Sequence, residues 1–153
     1  MLLPKGKRFF SPQDFFRSWD EVSKFGEFKE DDLLDRKFWL NKFFNSPSIP
    51  LWLGYGICWF DNIIPSRSAQ FSFVLFDRKL SGREEEIHDI LKWVFDEMAL
   101  RRVTMIVPHA YQAKIRFITK KLGFRREGIL RDYYIKEDRG EKAELFGLLR
   151  EEV

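Results

Sequence analysis

Apolar residues recur at helical spacing in one part of this chain and at strand spacing in another, and the order of these blocks predicts its architecture. Ile87, Ile90, Leu91, Val94, Phe95 and Met98 form an i, i+3, i+4, i+7, i+8, i+11 series, which lays one apolar stripe along a helix over 84–98. Glu84, Glu85 and Glu86 open that helix, at the end where its dipole favours negative charge. Ile115, Ile118 and Leu122 mark a shorter helix over 112–122, and Gly123 follows where a left-handed C-terminal residue is needed.

Period-two alternation appears earlier. Leu53, Tyr55, Ile57 and Trp59 alternate with Trp52, Gly54, Gly56 and Cys58, which predicts a strand over 51–60 whose small-residue face is closely approached by a neighbour. A turn over 62–68, containing Pro65, and a β-rich run over 70–76 make residues 51–76 an antiparallel hairpin. Residues 102–107 read as a buried strand closed by Pro108, and 128–136 and 144–149 as two strands around a turn at 137–140. Upstream, Ser11-Pro12-Gln13-Asp14 predicts a helix start, with Ser11 as N-cap, and a helix to about Ser23. A second helix is expected over 31–44, opened by Asp31 and Asp32, turning Leu34, Phe38 and Phe43 inward and stopped by Asn45-Ser46-Pro47. The result is an α/β (α+β) chain with an N-terminal helical part, 1–50, and a core, 51–153.

Composition narrows this picture. With 153 residues, 44% hydrophobic and 17% aromatic, the chain can bury one sizeable core and is read as a single domain, 1–153. A formal charge of +3, from 27 basic and 24 acidic residues, is too balanced to imply nucleic acid. The run Lys114, Arg116, Lys120, Lys121, Arg125 and Arg126 is basic but lacks the interleaved aromatics of a stacking platform. Glu27, Glu30, Asp31, Asp32 and Asp35 gather acidic charge around the second helix start, suited to that dipole or to an amine. One cysteine, Cys58, and two histidines give no metal constellation and no intrachain disulfide. Without an apolar run of leader or spanning length, the expectation is a cytoplasmic protein away from the membrane, monomeric or homodimeric.

The stretch Lys120-Lys121-Leu122-Gly123-Phe124-Arg125-Arg126-Glu127-Gly128-Ile129-Leu130-Arg131-Asp132-Tyr133-Tyr134, with Leu145 to Glu151 as a closing strand, resembles the GNAT superfamily of N-acetyltransferases, nearest the branch that acetylates ribosomal-protein N-termini. Glu86 to Val103 fits that branch's long helix and following strand without a gap, with Phe95 at a recurrent aromatic position. The resemblance implies a GNAT-type acyl-CoA N-acyltransferase fold, a mixed and mostly antiparallel sheet flanked by helices. It implies acetyl-CoA as cofactor and an amine as acceptor, a protein or peptide N-terminus in the nearest branch.

In that family the loop before the long helix is built from small residues whose N–H groups close on the pyrophosphate. The corresponding loop is Lys79-Leu80-Ser81-Gly82-Arg83-Glu84. The resemblance thus implies Lys79, Ser81, Gly82 and Arg83 at the pyrophosphate, Phe73 and Leu75 beside the pantetheine, and Gln112 on the later helix. Leu80 and Glu84 are larger than the family pattern, Ile115 replaces a small or hydroxyl residue, and the register of the family's acidic tyrosine falls on Thr119. These departures motivate the alternative of a binding module of the same fold with altered or lost transfer. For proton transfer the candidates are His109, just past a strand end, and Tyr134.

Overall fold

The fold is described from a computed structural model covering residues 3–24 and 26–153, without the side chains of Val22 and Glu27. Met1, Leu2 and the Glu27 carboxylate considered above lie outside the described residues. In chain order the elements are β1 (Arg8–Phe9), α1 (Pro12–Val22), a 3-10 turn (Gly26–Lys29), α2 (Arg36–Phe44), β2 (Ile49–Trp52), β3 (Gly56–Ile64), β4 (Ser68–Leu75), α3 (Glu84–Glu97), β5 (Arg102–Pro108), α4 (Gln112–Lys120), β6 (Arg125–Lys136) and β7 (Arg139–Leu149), then a 3-10 turn over Arg150–Glu152. The strands make one seven-stranded sheet in the order β1-β2-β3-β4-β5-β7-β6. Every neighbouring pair is antiparallel except β4 and β5.

Strand alternation splits the core between two faces. Cys58 and Phe60 of β3, with Phe71, Phe73 and Leu75 of β4, join Ile87, Ile90, Leu91, Val94 and Phe95 of α3 and Phe117 and Ile118 of α4 on one face. Ile57, Trp59 and Val74 point to the other, where Phe10, Phe15, Phe28, Trp39 and Phe43 form an aromatic cluster. Its rings meet at mixed edge and tilted angles, Trp39 and Trp59 at 5.4 Å and Phe28 and Trp39 at 4.7 Å between centroids, within the favoured separations for aromatic pairs.

Local chemistry explains the ends. Ser11 caps α1 through a reciprocal box: its hydroxyl accepts from the Asp14 N–H at 3.2 Å while its own N–H donates to the Asp14 carboxylate at 2.9 Å. Gly123 takes φ +85, as the sequence requires. α3 and α4 fall where expected.

Several features differ from the sequence reading. The second helix starts at Arg36 rather than 31, capped by the Asp35 carboxylate on the Phe38 N–H at 2.9 Å. Asp31 and Asp32 use their side chains on other backbone, Asp31 on the Leu33 and Ile135 N–H groups and Asp32 on the Glu137 N–H, a local competition that favours turns over helix. Within α2 it is Trp39 and Phe43 that are buried, while Phe38 is 39% exposed and lies under the Lys42 ammonium. The strand expected over 51–60 is two strands, because Gly54 takes φ +89 and the Leu53 N–H donates to the Gly56 carbonyl, closing a turn. Finally, β6 and β7 begin earlier and run longer than expected, with a turn of only Glu137 and Asp138, both at positive φ, the geometry of a type I′ hairpin.

Gly56 shows why the small face matters. A Cβ built there would lie 2.2 Å from the Val74 carbonyl oxygen and 3.0 Å from the Leu75 Cα, both backbone. Gly56→Ala is expected to destabilise the fold by about 2–4 kcal/mol, since the partner strand must shift. Chemical denaturation of the two proteins checks this, and a difference below about 0.5 kcal/mol would mean that β4 yields freely.

Candidate functional site

β4 and β5 pair only at Ser68 with Arg102, Ala69 with Val103 and Gln70 with Thr104. Beyond these three pairs the two strands diverge. On its other edge β4 remains paired with β3, and the Phe76 N–H donates to the Tyr55 carbonyl. In an antiparallel ladder, hydrogen-bonded and non-hydrogen-bonded pairs alternate, so Cys58 with Phe73 and Gly56 with Leu75 are non-bonded pairs. The backbone groups of Phe73 and Leu75 therefore turn away from β3 and into the cleft that β5 has left.

A groove of about 390 Å³ follows that cleft, lined by Phe73, Val74, Leu75, Arg78, Leu80, Tyr111, Gln112 and Lys114, among others. The Lys114 ammonium spans it from α4, donating to the Phe73 carbonyl at 2.7 Å and lying 4.5 Å from the centre of the Phe73 ring. Beside the groove is a second cavity of about 430 Å³. The two share Lys29, Ala110 and Tyr111 and so adjoin along the β5–α4 loop.

The second cavity contains His109 and Tyr134. His109 is held at both ends: its N–H donates to the Lys142 carbonyl at 3.1 Å, and its ring Nδ1 lies 2.9 Å from the Glu144 carboxylate. Glu144 is 5% exposed, and its other oxygen is 3.0 Å from Nε of Arg126. Glu144 is a neighbour of His109 that sequence inspection missed, and its signal is weak: it is one acidic residue on a strand face that continues with Phe146 and Leu148. Register brings it to His109, because Pro108 pairs with Ala143. Tyr134 is 8% exposed with its hydroxyl 3.5 Å from the Ile106 carbonyl.

The loop before α3 has a mixed character. Gly82 takes φ +81 with open space around it. Lys79 and Ser81 are exposed nearby. Arg83 turns inward: its guanidinium lies 3.5 Å from the centre of the Tyr55 ring and 2.7 Å from the Asp77 carboxylate. Burial holds the Tyr55 phenol above its ordinary value. The hydrogen bond from the Lys79 N–H, helped by Arg83, holds Asp77 below the usual carboxylate range. Glu86 in the first turn of α3 is matched by the Lys7 ammonium and the Tyr55 hydroxyl, leaving Glu84 and Glu85 at the helix start. Gln112 donates to the His109 carbonyl and thereby braces the loop between the two cavities. Thr119 donates to the Ile115 carbonyl at 2.8 Å, so its hydroxyl serves the helix.

No family model matches this sequence, and no curated protein does. Solved structures do match. An acetyltransferase of the GNAT family from Bacillus anthracis superposes with a TM-score of 0.68 at 20% identity, over 95% of both chains. The spermidine N-acetyltransferase from Vibrio cholerae, solved with CoA and spermine, superposes with a TM-score of 0.73 at 14% identity, again over 95% of both. This chain has the GNAT acetyltransferase fold. At 95% coverage the superposition takes in the N-terminal helices as well as the core. Among the described residues no helix is long and apolar enough to cross a membrane, and no group of three or more His, Cys, Asp or Glu is arranged to hold a metal.

Gly82 gives a local test. Gly82→Ala meets no atom but must hold a left-handed backbone, so it is expected to cost about 1 kcal/mol in denaturant unfolding; a neutral result would show that the loop relaxes to another turn.

Proposed function

We propose that this protein is an acetyl-CoA-dependent N-acetyltransferase acting on an amine. The observation that carries the reading is the adjacency of an unpaired β4 edge, with Phe73 and Leu75 turned into the cleft, to a cavity holding an oriented histidine. The first feature suits the amide-bearing arm of coenzyme A, which would lie against Phe73 and Leu75 as an added strand does. Leu80, Tyr111 and Phe73 offer it apolar walls. Gly82, Ser81 and the free N–H groups at the start of α3 would face the pyrophosphate, with Lys79 as nearby positive charge. Arg83, tied to Asp77 and Tyr55, is better read as bracing that loop than as a phosphate ligand. Gln112 would border the arm while holding the β5–α4 loop.

When bound, acetyl-CoA supplies an acetyl group activated as a thioester. The N–H groups of Phe73 and Leu75 are the backbone donors available to an acyl oxygen in the cleft. His109, with Nδ1 turned to Glu144, has Nε2 left to take a proton from the ammonium of the acceptor. Glu144 fixes that ring orientation and Arg126 fixes Glu144. Tyr134 forms part of the acceptor wall. The resemblance to the ribosomal-protein branch supports a protein N-terminus as the amine, whereas the likeness to spermidine N-acetyltransferase supports a small amine; a screen with an N-terminal peptide and with spermine separates them.

The first measurement is the thermal midpoint with and without excess acetyl-CoA, which must rise if the folded state binds it. A rise abolished by Gly82→Glu is expected, because a carboxylate there would repel the phosphates. No shift at millimolar acetyl-CoA would overturn the enzyme reading and leave a binding module of this fold.

In turnover assays His109→Ala is expected to lower kcat/KM by about 100-fold or more, and Glu144→Gln by about tenfold, with coenzyme A affinity unchanged. Retained activity in His109→Ala would remove the histidine from the chemistry.

A further inference from the structure

Lys114 occupies the position in the cofactor cleft that most directly competes with a ligand. Its neighbours on α4 pack or cap: Phe117 and Ile118 enter the core, Ile115 packs against it, and Gln112 holds the β5–α4 loop. Lys114 instead reaches across the groove to the strand, placing its ammonium 2.7 Å from the carbonyl oxygen of Phe73 and against the Phe73 ring. That carbonyl points toward β5, yet the β4–β5 ladder ends at Gln70 and Thr104. A carbonyl in a partly shielded cleft needs a donor, and the diverged strand supplies none at this level. The side chain of Lys114 provides it.

We propose that Lys114 is an internal stand-in for the ligand: it pairs the Phe73 carbonyl in the unliganded protein and must leave when an amide N–H of the coenzyme A arm takes that carbonyl. The inference rests on the cofactor reading above. Its consequence is an affinity set partly by the protein against itself, because each binding event exchanges one charge-assisted hydrogen bond within the chain for a neutral amide–carbonyl bond with the ligand. The same contact protects β4 when the cleft is empty, since an unpaired strand edge is open to association with another chain.

Lys114→Met keeps the apolar stem and removes the donor. Calorimetric titration with coenzyme A, at an ionic strength of about 0.5 M so that attraction of the ammonium to phosphates is screened, is expected to show the variant binding a few-fold to about tenfold more tightly than the parent, the scale of one exchanged hydrogen bond. The unliganded variant is expected to melt a few degrees lower, because the Phe73 carbonyl loses its partner. Equal or weaker binding by Lys114→Met would overturn the inference and make Lys114 a bystander or a ligand contact, while leaving the cofactor reading intact. Binding by neither protein would overturn the cofactor reading and the inference with it. Binding by the variant alone would support both in their strongest form.

Discussion

The short parallel ladder between β4 and β5 is the constraint on which the remaining structure depends. Three residue pairs hold the two halves of the sheet together, and past them the strands separate while each keeps its antiparallel partner on the far side, β3 for β4 and β7 for β5. A sheet interior normally satisfies its own backbone groups. Here a stretch of central strand is left with edge chemistry in the middle of the fold. Two contacts along it answer that need: Lys114 from α4 on the Phe73 carbonyl, and the Arg78 N–H that closes back on the Leu75 carbonyl.

Such a divergence is stable only if the two halves are fixed independently. α3 and α4 cover one face with a continuous apolar core, and the aromatic cluster under α1 and α2 holds the other through Trp59 and Val74. Large rings suit this task, since each buries a wide surface at little conformational cost. The long β6–β7 hairpin then carries Tyr134 to the second cavity and Glu144 to His109, and Asp31 and Asp32 tie its far end to the segment before α2 through the backbone of Ile135 and Glu137. Acidic residues that could have attracted a substrate are thus spent on holding the wall of the second cavity.

Charge around the loop before α3 follows the same logic of internal pairing. Arg83, Asp77, Tyr55, Glu86 and Lys7 form one connected set, so the cations that a sequence register would offer to a phosphate are partly committed within the protein. What remains for an anion is the exposed Lys79 and backbone: the open left-handed turn at Gly82 and the N–H groups of the helix start.

By itself the sequence determined the α/β order, the α3 and α4 stripes, the Ser11 cap, the left-handed Gly123, and the loop in which Gly82 sits, because these depend on periodicity and on single-residue backbone preferences that are local. It placed His109 just past a strand end and Tyr134 on a strand, without their setting. The tertiary structure alone decided that Gly54 turns the chain, that Asp31 and Asp32 clasp β6 and do not start a helix, that Arg83 faces inward, that Glu144 meets His109 across 35 residues, and that Lys114 closes the cleft. Each of these is a choice between competing partners for a polar group, and the winning partner lies far along the chain, where neither spacing nor propensity can identify it.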